Sequence, residues 1–319
     1  MYQNQQEYFN LFKTTLAKLI TNDYILLDLP YFTNVGDILI WQSTLDILET
    51  LPYKCLYSCS KESYIKPSLP ADAIIIFMGG GNFGDLWKSH QVFRHRVLTD
   101  FPNNRILQLP QSVWFKSKED IKQDAAIFSK HIGDITICLR EQQSYDLIKS
   151  NYKSVNVLLL PDLVLSFDVN KYIKKYNIHI QEKKETVFIK RQDIEKKDNN
   201  SSLYMTNVEI ADWPCMQKKT VPTRVIEIII RIIHLMHLPA NMRKRLLDFC
   251  YKHILKDIYL KVGIKFIGQY KNVYSTRLHA AILSCLLGKK TYLFDNSYGK
   301  CSGVFNLWMK NYSNIKMMQ

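Results

Sequence analysis

"AIIIFMGGGNFGDLW", residues 73–87, decides how the rest of the chain is read. Its first six residues are an unbroken apolar run, rich in isoleucine and without alternation. That is the pattern of a strand covered on both faces, which belongs to a parallel sheet. The glycines end the strand, and a helix is expected from about Asp85 to Asp100. Outward from this stretch the pattern repeats. "DYILLDL" (23–29), "RILQLP" (105–110), "DITICLR" (134–140) and "VNVLLLPD" (155–162) read as strands, with helical stretches between them such as "DILIWQSTLDILETL" (37–51). Strands alternating with helices predict a doubly wound parallel sheet.

After Asp168 the composition turns polar and basic, as in a linker or a peripheral helix, and a second series begins. It comprises a strand "TVFIKR" (186–191), a polar loop "QDIEKKDNNSS" (192–202) and a further strand in "YMTNVEIAD" (204–212). Two long helical patterns (222–238 and 240–259) follow, parted by Pro239. "NVYS" (272–275), a helix over 276–287 and the strand "KTYLFD" (290–295) close the series. The expectation is an α/β chain of two Rossmann-like doubly wound domains facing each other, over residues 1–170 and 171–319.

Gly79, Gly81 and Gly84 satisfy G-x-G-x-x-G. A dinucleotide site, however, needs its glycines in the first βα unit, and an acid ending the next strand to bind the ribose. Here the loop follows an interior strand, and Asp100 precedes the next strand rather than ending it. NAD is therefore set aside. Two readings stay open: glycines needed only for the turn, or a bare backbone that admits a small anionic ligand.

The 319 residues carry 43 Lys and Arg against 29 Asp and Glu, a formal net charge of +14. Such a surplus suggests an anionic partner. No basic run is interleaved with aromatics, so nucleic acid falls behind a phosphorylated substrate or an acidic membrane leaflet. The seven scattered cysteines contain no C-x-x-C pair; they read as reduced small hydrophobes rather than as a zinc site. No signal-peptide core is present at the N-terminus. The greasiest stretch, "RVIEIIIRIIHLMHL" (224–238), is too short and too charged to span a bilayer. A cytoplasmic chain is expected, peripheral at the inner leaflet.

Ligands of such sheets bind at the carboxyl ends of strands. Those ends offer Asn34, Gly36 and Asp37; Gly80, Gly81 and Asn82; Gln111 and Ser112; Arg140; Asp162; Arg191; and the turn "STRLH" (275–279). In that last turn Ser275 is a helix cap and Gly288 a helix stop. Arg277 and His279 fall at the helix start, where free N–H groups favour an anion. Arginine adds a bidentate fork for phosphate or carboxylate, and histidine is a side chain suited to moving protons.

The segments "NVGDILIWQSTLDIL", "IIIFMGGGNFGDLW", "LPQSVWF", "CLREQQSYDLI", "LLLPDLVL", "FIKRQDIE", "STRLHAAILSCLLGKKTYLFD" and "SYGKCSGVF", in this order, resemble the polysaccharide pyruvyl transferases. The resemblance covers roughly residues 25–168 and 186–310. It implies a fold of the glycosyltransferase-B type and transfer of a pyruvyl group from phosphoenolpyruvate to a sugar, as a ketal bridging two hydroxyls. Arg277 and His279 match the family's Arg-x-His positions, Arg140 and Arg191 its other arginine motifs, and Lys300 its C-terminal lysine. The implied partners are phosphoenolpyruvate as co-substrate and a saccharide acceptor, free or lipid-linked. The scheme calls for no resident cofactor and no metal. Four cations suit a donor with both phosphate and carboxylate, and His279 is the proton-transfer candidate, ahead of Asp37, Asp85 and Asp295. The rival is a nucleotide-sugar glycosyltransferase of the same arrangement, in which the Arg/His turn would hold a diphosphate.

Overall fold

The structure is a computed structural model that describes residues 4–193, 195, 208–217 and 221–318. The chain divides into two compact units. One is continuous apart from a short excursion, comprising Tyr8–Pro30 and Ile40–Leu163. The other comprises Met1–Glu7, Tyr31–Leu39 and Val164–Gln319. The sequence placed a boundary near residue 170 and assigned everything before it to one domain. Two short N-terminal segments in fact pack with the C-terminal half.

The N-terminal unit holds β1 (Tyr24–Leu27), β2 (Cys55–Cys59), β3 (Ile74–Phe77), β4 (Gly80–Gly84), β5 (Ile106–Trp114), β6 (Ile135–Leu139) and β7 (Asn156–Leu159). Their order is β2-β1-β3-β5-β6-β7, with β4 also paired to β5, and every pairing is parallel. All four residues of β1 and of β3 are buried, as the unbroken apolar runs require. Ile25, Leu27, Ile75, Phe77, Ile106, Ile137 and Leu139 form the centre of one core with Phe93, Val97, Phe128 and Ile148 from the covering helices.

The glycine stretch departs from expectation. In place of a loop leading into a helix, Gly80–Gly84 is a strand, and the helix starts only at Lys88. The glycines have local causes. Gly80 and Gly84 sit at φ of 142° and 105°, a region disfavoured for side-chain-bearing residues. A Cβ on Gly84 would also lie 2.0 Å from the Trp114 carbonyl oxygen. Strand β5 outruns its predicted end at Pro110 by four residues. The register shifts there between Gln108 and Gln111; a bulge is where a strand tolerates proline. At this point β5 changes neighbour, from β3 to β4.

The C-terminal unit holds β8 (Lys184–Ile189), β9 (Glu209–Ala211), β10 (Tyr270–Ser275), β11 (Lys290–Leu293) and β12 (Ile315–Met317), in the all-parallel order β12-β11-β10-β8-β9. Its core includes Val187, Ile189, Val273, Leu278, Ile282, Leu283 and Leu293. The polar loop expected at 192–202 lies mostly outside the described residues, as do 204–207 of the expected strand. The expected helix over 240–259 is Ala240–Phe249, a π-helical turn at Cys250–Leu255, and a further helix Lys256–Gly268.

Both sheets therefore start with a strand whose next two partners lie on opposite sides: β1 between β2 and β3, β8 between β9 and β10. Neighbouring crossovers run in opposite directions at such a switch point. The crevice left at the strands' carboxyl ends is the ligand position of open α/β sheets.

Candidate functional site

At the C-terminal unit's switch point, β8 delivers Arg191 and β10 delivers Arg277. The strands are stitched just past their last paired residues. Thr276 donates its backbone N–H to the Ile189 carbonyl at 3.0 Å, and Arg191 donates its own to Thr276 Oγ1 at 2.9 Å. Arg277 does not sit within the helix as the spacing suggested. It is the residue before it, with extended backbone, and the helix is Leu278–Leu286. Ser275 does not cap that helix by side chain. Its hydroxyl instead clasps Arg277, accepting from its N–H and donating to its carbonyl, each at 2.9 Å. Arg277 and His279 therefore escape the constraint that two residues apart on a helix point in different directions.

Each cation here meets a carboxylate. Arg277 is buried and ion-paired through Nε to Asp212, with Nη2 donating to the other Asp212 oxygen at 2.6 Å and lying 3.3 Å from Asp193. None of these contacts uses its Nη1. Arg191, also buried, donates Nε to Asp193 at 2.6 Å and forks onto Glu195 with Nη1 and Nη2 at 2.7 and 2.9 Å. Lys300 is ion-paired to the same Glu195, which also accepts from Tyr298 at 3.0 Å and Asn296 at 3.3 Å. Burial alone would raise the Glu195 carboxyl; Lys300 and Arg191 outweigh it and bring it down from 4.5 to about 2. Burial would lower the Arg191 guanidinium, and Glu195 and Asp193 overcome that, leaving it raised.

A buried ion pair is weak evidence for stability, because desolvation offsets much of the attraction. Three cations and three carboxylates nevertheless meet in this one crevice. Sequence reading missed Asp193, Glu195 and Asp212. Two of them stand at plus two and plus four from Arg191, and the third directly follows β9, so strand-end position was the available signal.

His279 is half-buried in the helix's first turn. Asn34 and Gly36 lie beside it, at the start of the helix Val35–Leu48. Asn34 Oδ1 accepts from the Gly36 N–H at 3.0 Å. A Cβ on Gly36 would meet His279 Nδ1 at 2.4 Å, so only glycine lets the imidazole rest there. Asp37 is the next residue along. Asp295, by contrast, caps the short helix Lys300–Val304 by accepting from Cys301 and Ser302. Asp85 accepts from the Lys116 N–H in the N-terminal unit. Gly36→Ala should displace the His279 ring and cut turnover on the order of 10²-fold, the scale of an ångström's misplacement. Steady-state kinetics with a thermal melt checks this, and unchanged turnover would detach Gly36 from His279's role.

The remaining expected residues, Arg140 among them, lie in the N-terminal unit. Arg140 is 1 % exposed, donates to Asp162 at 2.5 Å and to Ser112 Oγ at 2.8 Å, and Ser112 donates to Glu141 at 2.9 Å. Gln111 is buried, and its side chain spans Met78 O, Asn82 Oδ1 and the Asn82 N–H. The Gly84 N–H donates to Gln91 Oε1. The N–H groups of Asn82 and Gly84 are thus engaged internally.

This unit's own switch point, between β1 and β3, joins the expected Asn82 to Asp28, His90 and Arg94, which the sequence did not signal. Asp28 has φ of 66°, rare for a non-glycine residue. Its carboxylate lies 2.8 and 2.9 Å from His90 Nδ1 and accepts from Asn82 Nδ2 at 3.2 Å. Buried Arg94 braces the cluster, donating to Asn82 Oδ1 at 2.6 Å and Gln108 Oε1 at 2.8 Å. Among the described residues, no group of three or more His, Cys, Asp and Glu is arranged to hold a metal ion.

Comparison with known proteins places this arrangement. The chain is 30 % identical over 301 residues to the putative pyruvyl transferase EpsO of Bacillus subtilis, covering 93 % of this chain and 89 % of that one. It is 26 % identical over 297 residues to pyruvyl transferase 1 of Schizosaccharomyces pombe, covering 89 % and 69 %. A crystal structure of an uncharacterised Klebsiella pneumoniae protein, 21 % identical, superposes over the whole of both chains with a TM-score of 0.61, a likeness of fold. The family profile described as polysaccharide pyruvyl transferase matches residues 34–298, a span that runs from the Asn34 turn beside His279 through Arg191 and Arg277 to Tyr298. By that span and by its kinship with EpsO, the chain belongs to the polysaccharide pyruvyl transferase family.

Proposed function

We propose that this protein transfers the pyruvyl group of phosphoenolpyruvate to a saccharide, free or lipid-linked, leaving a ketal across two hydroxyls. The observation that carries the reading is the meeting of Arg191, Arg277, Lys300 and His279 around one strand crevice in a chain of this family. Phosphoenolpyruvate bears a phosphate and a carboxylate close together, and arginine forks with a lysine point charge match both. The donor's methylene carbon gains a proton, which makes the adjacent carbon electrophilic. A sugar hydroxyl attacks there as the bond to phosphate oxygen breaks. The second hydroxyl then closes the ketal. Of the two hydroxyl protons, one replaces that delivered to the methyl group and the other leaves with phosphate. His279 moves the proton and Arg277 holds the donor anion.

Arg191 has all three nitrogens on carboxylates, and Glu195 also holds Lys300. A donor anion reaches these two cations by displacing the Glu195 carboxylate.

Phosphoenolpyruvate should raise the melting temperature as its concentration passes the dissociation constant, whereas NAD and a nucleotide sugar should not. Incubation with phosphoenolpyruvate and a saccharide should release phosphate and yield a product whose mass shows the added pyruvate ketal. A melting shift with the nucleotide sugar and none with phosphoenolpyruvate would transfer the site to glycosyl transfer.

A further inference from the structure

The helix Val221–Leu235 is apolar on both faces. Thr223, Ile230 and Ile233 are buried. On the opposite side Val221, Val225, Ile228, Ile232 and Leu235 are exposed, Val221 and Leu235 by 73 and 79 %. At helical spacing these five share an arc of roughly 80°, and exposed Ile229 borders it. The following helix, Ala240–Phe249, repeats the device with Met242, Leu246 and Phe249 exposed at i, i+4 and i+7. A surface helix ordinarily turns charge outward. A contiguous outward apolar row marks a place where something docks.

The borders of these rows are cationic. Arg224 and Arg231 lie along one edge of the first and Arg245 beside the second, all three exposed. Residues 221–256 hold seven Lys and Arg against two acids, Glu227 and Asp248, a surplus of five. Asp248 is itself occupied by Lys244, Lys252 and Tyr31, at 2.6 to 2.9 Å. No described helix is long and apolar enough to cross a membrane. An apolar row edged by arginines has the make-up of a helix lying in the plane of a bilayer surface, its apolar side sunk among the acyl chains. A second copy of the chain would bring like-charged borders together, whereas an anionic leaflet attracts them.

We propose that the exposed apolar rows of Val221–Leu235 and Ala240–Phe249, with Arg224, Arg231 and Arg245 at their borders, seat the protein on an anionic phospholipid bilayer. This deepens the reading of a lipid-linked acceptor by bringing the enzyme to the surface that holds it.

Vesicle flotation tests the proposal, and it contains neither donor nor acceptor, so its failure leaves pyruvyl transfer standing. The protein should float with vesicles of phosphatidylcholine mixed with phosphatidylglycerol at low salt, less so at moderate salt, and poorly with phosphatidylcholine alone. Ile228→Glu with Ile232→Glu should abolish flotation while leaving the circular dichroism and the melting temperature unchanged, since both positions are exposed. Arg224→Gln, Arg231→Gln and Arg245→Gln together should weaken partitioning on the order of 10²-fold. Absence of flotation, or equal flotation with both vesicle types, overturns the proposal. So does a dimer in light scattering that the Ile228→Glu, Ile232→Glu pair splits, for the rows would then join two copies.

Discussion

His279→Gln should lower turnover on the order of 10²–10⁴-fold, the usual scale for losing a general acid or base, with donor affinity nearly intact. Glutamine keeps the hydrogen-bonding character and roughly the reach of the imidazole but cannot carry a proton. Arg277→Lys should fail in the other parameter. Lysine keeps the charge but cannot fork onto Asp212 while offering a further N–H to the donor. Its cost of about 1–3 kcal/mol should appear chiefly in the Michaelis constant. Should His279→Gln instead lose donor binding and turn over normally at saturation, His279 is a phosphate ligand. Proton transfer would then fall to Asp37.

Glu195→Gln should destabilise the ligand-free protein by about 3 kcal/mol, at the lower end of the cost of breaking a buried ion pair. Depression of the carboxyl from 4.5 to about 2 leads to a similar figure, at about 1.4 kcal/mol per pH unit. A lowered carboxyl stabilises the fold fully above its ordinary value and loses that contribution as pH falls towards the folded-state value. The gap between wild type and variant should therefore be constant above pH 4.5 and close on acidification towards 2. Saturating phosphoenolpyruvate should also close it at neutral pH, because the donor's anionic groups supply what Arg191 and Lys300 have lost. Urea unfolding across pH, with and without donor, measures both. A gap that donor leaves untouched would remove Arg191 and Lys300 from the donor site.

The sequence was most legible where burial is total. The runs at 74–77 and 24–27 have no polar face, so strand and parallel pairing follow directly. It was least legible where a long-range partner decides. Gly80–Gly84 is a strand because β5 runs on past Pro110 to pair with it, and no local pattern reports that extension. Strands Cys55–Cys59 and Ile315–Met317 lie at the sheet edges, where burial is partial and the apolar signal thin. The arginines of the site were readable from strand ends one at a time, and Lys300 from the family resemblance. Their grouping was not: Arg140 stands in one unit and Arg191, Arg277 and Lys300 in the other, a distinction made by topology rather than by residue type. The carboxylates opposite the cations were hidden for a simpler reason. An acid in a polar loop resembles any other solvated acid until a buried guanidinium is found against it.

The Asn34–Gly36 turn rests against His279, and Val35 lies where a Cβ on Gly263 would strike it at 2.5 Å. The ribosome makes these contacts difficult to form early. Residues 31–39 emerge early and their partners Gly263 and His279 late, a delay of roughly 12–50 s at about 5–20 residues per second. Until residue 164 is reached, the stretch "YFTNVGDIL" has of its own unit only the short segment that ends at Glu7. A gene fragment starting after residue 163 would encode every arginine and lysine of the donor crevice and still lack the wall behind its histidine. Supplying residues 1–163 as a separate polypeptide should restore what the fragment lacks.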